Sequence, residues 1–237
     1  MHKQAIDQII NTLKNLSYQQ WEAYLKTEPE WQYGLPIKEV YPENVFICFM
    51  LTAGLNDYQL KGKAEIVYWP KLMDLAKRSE IPQTLDDLIN LLEPFYQKER
   101  LKKAKIARLH RFLESKLAEY LWQAEKGEIA VSFEHVWKGL ARTMKQPPHK
   151  KTIVFAMKCL FIAIRMLGQK EIKCDMPIPV DSRVKKITLE YGLLGENELT
   201  EKAIQHVWNM VLKEIQKRNP YVNIFHLDSY LWQNAGD

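Results

Sequence analysis

Residues 133–167 read FEHVWKGLARTMKQPPHKKTIVFAMKCLFIAIRML. Apolar residues recur at helical spacing on both sides of the segment QPPHK, whose two prolines are typical of a helix break. The stretch therefore predicts one helix over residues 133–145, a tight hairpin, and a second, largely apolar helix that begins near Lys151. A helix, hairpin and helix in this order set the architecture for the middle of the chain.

Helical spacing of apolar residues also dominates elsewhere, for example at Leu85, Leu88, Ile89 and Leu92. Strand-like alternation is nearly absent. Proline, glycine or polar residues interrupt the pattern at 36–42, 81–84, 127, 146–149 and 177–179. The sequence predicts an all-α fold of roughly ten helices.

Three further positions predict where helices begin. Thr84 and Asp87 have the spacing of a capping box, in which each side chain bonds a backbone amide of the first turn. Ser132 and Thr200 precede helical patterns and are predicted N-caps, because a hydroxyl oxygen accepts from free amides of a first turn.

Composition and charge exclude several classes of protein. The 237 residues are 46% hydrophobic, enough for one large domain or two small subdomains that share a cleft. No stretch approaches the length of a membrane span, so a cytoplasmic location is expected. The three cysteines lie far apart without a histidine cluster, so no metal or iron–sulfur site is expected. The net charge of +5 mildly favours an anionic partner such as nucleic acid.

Residues 98–111, KERLKKAKIARLHR, are strongly basic. Their charges surround a narrow apolar stripe at residues 101, 104, 109 and 112. Such a segment is either a solvated helix face, which is the favoured interpretation, or a face that contacts phosphates. The hairpin QPPHK at residues 146–150 could also aim helix amides and lysines at a DNA backbone, although helical hairpins are common.

Lys151 and Asp181 are candidates for chemistry, each with a plain structural alternative. Lys151 opens a helix whose later positions are almost wholly apolar, and loss of hydration there makes an amine a better nucleophile. It could equally be a surface lysine at a helix end. Asp181 stands at an N-cap position, and its plain alternative is that it only caps the helix. Helix amides there hold a carboxylate ionised, and such a fixed negative charge can stabilise a cationic transition state.

The segment HLDSYLW, residues 226–232, places Asp228 and Trp232 four apart on one helix face. A carboxylate beside an aromatic plane suits a purine, which offers a donor edge and a stacking face. The alternative is a packed tryptophan beside a solvated aspartate.

Four separated blocks resemble one family. They are KTIVFAMK at 151–158, PIPVDSRV at 177–184, HLDSYLW at 226–232 and YQLKGKAE at 58–65. Their order and spacing resemble those of the archaeal-type 8-oxoguanine DNA glycosylases (AGOG), a branch of the helix-hairpin-helix glycosylase superfamily. The resemblance implies one catalytic unit of two helical subdomains with the active-site cleft between them, one of residues 1–65 and 175–237, the other of residues 66–174.

The resemblance also implies a role for individual residues. Lys151 takes the position of the lysine that forms a Schiff base, and Asp181, 30 residues later, that of the assisting carboxylate. Phe155 and Trp232 take the positions of two rings that sandwich the flipped base. Asp228 takes the position that accepts hydrogen bonds from the purine, and Gln32 that of an amide that touches the base. A further tryptophan contact of the family falls on Tyr68 or its neighbour Trp69. The hairpin QPPHK departs from the glycine-rich hairpin of the wider superfamily, but this agrees with the branch.

By this resemblance the chain is expected to be a base-excision-repair glycosylase with an associated β-elimination lyase activity, acting on DNA that contains 8-oxoguanine. No cofactor or metal is implied, no membrane partner is expected, and the protein is expected to be a monomer associated with the nucleoid. One alternative is a monofunctional glycosylase for another purine lesion. The other is a non-catalytic helical DNA-binding module, in which Lys151 only contacts phosphate.

Overall fold

The computed structural model describes residues 2–172 and 174–234, which divide into two compact units. Unit 1 contains the described residues of Met1–Glu28 and Lys173–Asp237, and unit 2 is Pro29–Ile172. The described residues form fifteen α-helices, one 3-10 turn and no β-strand. The predicted all-α fold is confirmed. The helices outnumber the predicted ten because three of them have only four, eight and six residues.

Unit 2 contains ten of the helices. They are α3 (Pro29–Val40), α4 (Glu43–Asn56), α5 (Ala64–Val67), α6 (Trp69–Arg78), α7 (Leu85–Tyr96), α8 (Lys102–Leu113), α9 (Lys116–Gln123), α10 (Lys126–Val131), α11 (Phe133–Thr143) and α12 (Lys151–Met166). The interruption predicted at 36–42 begins later than expected, because α3 continues through Pro36.

Helices α4 and α12 form the core of unit 2. Both are mostly apolar, and twelve residues of each are buried, as expected of helices that are covered on most sides. Their backbones come unusually close at Gly54, where an added Cβ would lie 2.9 Å from the Ala156 Cα and 2.6 Å from the Cys159 Sγ. Only a glycine at this position allows α4 to lie so close to α12.

The predicted hairpin joins α11 to α12. Helix α11 ends because Lys145 takes a left-handed conformation, with φ of 52°, and the Gln146 amide then donates to the Ala141 carbonyl at 3.0 Å. The Trp137 indole N–H donates to the Pro148 carbonyl at 2.8 Å, which ties the proline segment back to α11. These bonds fix the point at which α12 begins, and they confirm the predicted helix, hairpin and helix.

The basic segment 98–111 follows the favoured interpretation of a solvated face at five of its seven lysines and arginines, which are exposed, and departs from it at Lys105 and Arg108. In α8 the side chains of Lys105 and Arg108 are buried, whereas Leu101, from the expected apolar stripe, is 44% exposed. The Lys105 ammonium lies 5.6 Å from the Tyr58 ring centroid, and the Arg108 guanidinium lies 5.1 Å from the same centroid. The two cations are accommodated inside because an aromatic face attracts them and their aliphatic stems pack like apolar groups.

Unit 1 contains the remaining helices. They are α1 (Lys3–Leu13), α2 (Tyr18–Lys26), α13 (Ser182–Glu190), α14 (Glu201–Gln216) and α15 (Ile224–Asn234), with the 3-10 turn at Glu196–Glu198. Helix α15 packs on α2 and α13, and α1 packs on α14. The Trp208 indole N–H donates to the Thr188 hydroxyl at 2.9 Å, a buried bond between α14 and α13.

The division between the units falls after Glu28, not near residue 65 as the resemblance implied. Helices α3 and α4 pack on α12, so residues 29–65 belong with unit 2. Among the described residues, no helix combines the length and apolar character that a membrane crossing requires. In the same part of the chain, no group of three or more histidine, cysteine, aspartate or glutamate side chains could hold a metal ion.

Two of the three predicted helix starts form as expected. Thr84 and Asp87 make a reciprocal capping box, and the Thr200 hydroxyl accepts from the Ala203 amide at 3.2 Å. Ser132 does precede α11, but its side chain does not cap that helix. Its hydroxyl instead donates to the Glu128 carbonyl at 2.8 Å, which also accepts from the Ser132 amide at 2.9 Å, so the side chain bonds back to α10.

Candidate active site

Lys151 is the first residue of α12, and Lys150 immediately before it is the N-cap. The hairpin fixes this start, so the position of Lys151 is set by backbone geometry. Its side chain is exposed, whereas the apolar positions that follow in α12 are buried, except Phe155. The loss of hydration expected at Lys151 is therefore not present in the free protein. A bound nucleotide would have to exclude the water.

Asp57 follows the last residue of α4 and is partly buried. Its Oδ2 accepts a hydrogen bond of 2.9 Å from the Trp69 indole N–H. Burial raises the pKa of the Asp57 carboxyl from 3.8 to about 6, while the Trp69 bond and the positive charges of Lys105 and Lys151 lower it. The carboxyl thus lies within the electrostatic reach of the Lys151 ammonium.

Tyr68 and Trp69, the two candidates for a base contact after the GKAE segment, are both fully buried. The Tyr68 hydroxyl lies 2.8 Å from the Ala53 carbonyl and 3.1 Å from the Tyr96 hydroxyl. The Trp69 N–H is engaged by Asp57. Neither ring presents a face to solvent, because both are packed into unit 2. Both rings are therefore covered in this structure, and the base contact implied for Tyr68 or Trp69 stays a prediction.

Two other predicted base contacts belong to unit 2. Phe155 is partly exposed and lies four residues after Lys151, so both side chains are on one face of α12. Gln32 is exposed near the start of α3. An aromatic ring one turn from an exposed amine can pack against a ligand that the amine attacks.

In unit 1, Asp181 is the N-cap of α13, as its position in the sequence predicted. Its Oδ1 accepts a hydrogen bond of 3.0 Å from the Val184 amide. Two residues later, the Arg183 guanidinium lies 4.5 Å from the ring centroid of Trp232, which is partly exposed on α15. The start of α13 therefore packs against the end of α15 through the cation and the indole, and the Asp181 carboxylate caps α13 two residues before that cation.

Asp228 lies one turn before Trp232 on α15 and is 9% exposed. Nearby, His226 is a structural residue: its Nε2 is 3.1 Å from a Glu22 oxygen and its Nδ1 is 3.0 Å from the Asn223 oxygen. These bonds hold the start of α15 against α2. The helix is thereby fixed as a rigid support for Asp228 and Trp232.

Two residues near the predicted site were missed by sequence reasoning. Asp57 directly precedes the block YQLKGKAE, and Arg183 lies inside the block PIPVDSRV. Their positions could have drawn attention to them. Their partners, Trp69 for Asp57 and Trp232 for Arg183, come from other helices and could not be read from spacing.

Comparison with known proteins places the chain among DNA repair enzymes. The model of the AGOG family, described as N-glycosylase/DNA lyase, matches residues 10–237. A relative from Pyrobaculum aerophilum named N-glycosylase/DNA lyase is 26% identical over 96% of this chain and 84% of its own length. A relative of the same name from Methanopyrus kandleri is 25% identical over 83% of this chain and 75% of its own length.

A solved structure gives the same fold. It is the crystal structure of the 8-oxoguanine DNA glycosylase from Pyrobaculum aerophilum in complex with 8-oxoguanosine. The TM-score is 0.77 at 21% identity, and the match covers 98% of this chain and 88% of the other. The family match spans nearly the whole sequence, and it includes the helix that Lys151 opens and the segment of Asp181. The chain belongs to the AGOG family of N-glycosylase/DNA lyases.

Proposed function

We propose that this protein excises 8-oxoguanine from DNA and then cleaves the strand at the resulting site by β-elimination. Lys151 is the nucleophile and Asp181 the carboxylate that assists it. The observation that carries the proposal is the family match over residues 10–237, since the family is described as N-glycosylase/DNA lyase. The choice of lesion is supported by the fold neighbour, which was solved in complex with 8-oxoguanosine.

The first step is attack of the neutral Lys151 amine on C1′ of a nucleotide flipped out of the duplex. A bond forms between Nζ and C1′ while the bond from C1′ to the base nitrogen breaks, and the base leaves with the electron pair. Opening of the sugar ring gives a Schiff base, which acidifies the proton on C2′. Loss of that proton expels the 3′ phosphate, so one residue performs both the glycosylase and the lyase chemistry.

Asp181 is proposed to stabilise the positive charge that develops on the sugar. The hydrogen bond from the Val184 amide and the positive end of α13 keep this carboxylate ionised. A charge fixed before the reaction does not have to reorganise during it, which makes its stabilisation of the transition state effective. The same carboxylate can also accept the proton that the nitrogen loses once it is bonded to C1′.

Recognition of the base is assigned to four residues. Trp232 and Phe155 supply aromatic faces for the purine, and Asp228 accepts from its N1–H and exocyclic amine. Oxidation turns N7 of guanine from an acceptor into a donor, so one acceptor at that atom separates lesion from normal base. The exposed Gln32 amide is our candidate for it. In this arrangement Arg183 backs the face of Trp232 away from the base.

The proposal is tested with a duplex that carries one 8-oxoguanine and a matched duplex that carries guanine. We expect release of the free base and strand scission at the lesion only. Release of the base without scission or a covalent intermediate would indicate a monofunctional glycosylase. Binding of both duplexes without release of either base would indicate a DNA-binding module without catalysis.

A further inference from the structure

We propose that Asp57 is a positioning residue that acts through Lys151, holding its ammonium and accepting the proton that the amine must lose before it attacks. In this step one N–H bond of Lys151 breaks, an O–H bond forms on Asp57, and the electron pair stays on Nζ. The proton later passes from Asp57 to water. The inference rests on the proposed function, since it concerns how the nucleophile of that reaction is prepared.

The first support is the way that α4 and α12 run past each other. Gly54 near the end of α4 contacts Ala156 and Cys159 of α12. One turn earlier on α4, Met50 meets Met166, the last residue of α12, where both side chains contact Gly34. The two helices are therefore antiparallel, and the end of α4 lies beside the start of α12. Asp57 and Lys151 occupy these adjacent ends.

The second support is the set of groups around the Asp57 carboxyl. The Trp69 N–H, from α6, holds one of its oxygens at 2.9 Å, which fixes the orientation of the carboxyl. Charged and titratable groups face it from each helix packed around it, namely Lys151, Lys105, Glu65, Tyr68 and Tyr96. Lys105 is itself paired with Glu99 at 3.5 Å, so its charge is partly compensated. Lys151 is the proposed nucleophile, so of the two lysines it is the one that we assign as the partner of Asp57 for proton transfer.

The third support is the acidity of the carboxyl. With a pKa of about 6 rather than 3.8, Asp57 takes up a proton at a pH about two units higher than an ordinary aspartate does. For the same lysine, the fraction of molecules in which the proton has passed from the amine to the carboxyl is therefore about a hundredfold larger than with an aspartate of ordinary pKa. At neutral pH the carboxyl is still ionised and ready to accept. A merely structural carboxylate would gain nothing from this shift.

The test is the rate of base excision as a function of pH under single-turnover conditions. In the wild type, we expect the rate to fall as the pH drops below about 6, because a protonated Asp57 can no longer accept. In Asp57→Asn this acid limb should disappear. The rate should instead rise about tenfold per pH unit from 6 to 8, since Lys151 must then lose its proton to solvent. At pH 7 we expect roughly a hundredfold loss, the low end of what a positioned general base contributes to a rate.

Asp74→Asn is the matched control, because Asp74 is an exposed aspartate of the same unit. It should keep the wild-type profile. Trp69→Phe is a second test, because it keeps Asp57 and removes the indole N–H that donates to it. In the wild type this hydrogen bond lowers the pKa of Asp57, so its loss should raise that pKa. It should move the acid limb up by about one pH unit. If Asp57→Asn does not give the wild-type circular dichroism spectrum, the shift in Trp69→Phe decides the question.

The outcomes separate this inference from the proposed function. If the wild type excises the lesion and is trapped by borohydride, but Asp57→Asn keeps the wild-type pH profile, the assignment of Asp57 is overturned while the proposed function stands. An unmoved acid limb in Trp69→Phe overturns it in the same way. If the wild type forms no adduct at all, the lysine mechanism fails, and the role of Asp57 fails with it.

Discussion

Replacing Asp57 with asparagine is expected to make the folded protein more stable at neutral and alkaline pH. Folding raises the pKa of this carboxyl from 3.8 to about 6, mainly because burial disfavours the charged form. A shift of about two units corresponds to at most about 3 kcal/mol of unfolding free energy. This figure is an upper limit, since Asp57 is only partly buried and water screens part of the cost.

The sign follows from proton binding. The folded protein holds the Asp57 proton more tightly than the unfolded chain, so its stability falls as the pH rises from 3.8 to 6 and stays reduced above that range. Asparagine has no proton to lose and still accepts from Trp69. The advantage of Asp57→Asn should therefore be greatest at pH 8 and about half as large at pH 5.

Urea unfolding followed by circular dichroism at pH 8 and pH 5 measures this difference. The Asp74→Asn variant, at an exposed position, should show no such dependence on pH. An Asp57→Asn protein whose change in unfolding free energy is the same at both pH values would refute the reasoning, because a buried carboxyl with a raised pKa must produce a pH-dependent term. The expected result would also mean that the protein keeps a destabilising charge where the proposed chemistry uses it.

Three other expectations follow from single contacts. Gly54→Ala should destabilise the protein by about 1 to 3 kcal/mol in urea unfolding, because the new methyl group would lie 2.9 Å from the Ala156 Cα. His110→Gln should cost roughly 1 kcal/mol or less at pH 6 and nothing at pH 9. Two flanking glutamates raise the pKa of His110, so its contribution is present at low pH and lost as the pH rises through the folded value. Trp232→Ala should weaken binding of an 8-oxoguanine duplex by on the order of 1 to 3 kcal/mol, with little effect on undamaged DNA in a fluorescence titration; an equal loss for both would make Trp232 a core residue only.

The fold was largely predictable because its signals are local. Proline breaks and helical spacing locate the hairpin and the start of α12, and hydroxyl or carboxylate side chains mark the starts at Thr84, Asp181 and Thr200. Each of these signals depends on residues within one or two turns of one another. Short helices and a helix that continues through Pro36 were not predictable, since neighbouring helices stabilise them.

The basic segment shows why the buried face of a helix can be misread. Spacing and polarity assigned Leu101 to the core and Lys105 to solvent, and the structure has the reverse. The Lys105 ammonium is balanced by Glu99 at 3.5 Å and by two tyrosine rings from other segments. Partners that come from elsewhere in the chain do not appear in a local pattern. The favoured sequence interpretation therefore failed at Leu101, Lys105 and Arg108, whereas the other five lysines and arginines of the segment are exposed as predicted.

The candidate site divides along the same line. Lys151 at a helix start and Asp181 at an N-cap were predicted from the sequence, and both are found at those positions. The contact expected at Tyr68 or Trp69 falls on two buried rings and stays a prediction, and the Trp69 N–H donates to Asp57. The environment of the Asp57 carboxyl is set by Trp69 and Lys151, which are far from it in sequence. The shared cleft of the two units remains a prediction.

The most direct test of the account is covalent trapping by borohydride with an 8-oxoguanine duplex. The wild type should form a reduced protein–DNA adduct that peptide mapping locates at Lys151. Lys151→Gln should bind the duplex without forming the adduct, because glutamine has similar length but no nucleophilic amine. Lys150→Gln, at the N-cap next to it, should form the adduct normally. An adduct that persists in Lys151→Gln, or that maps to another lysine, would contradict the central claim.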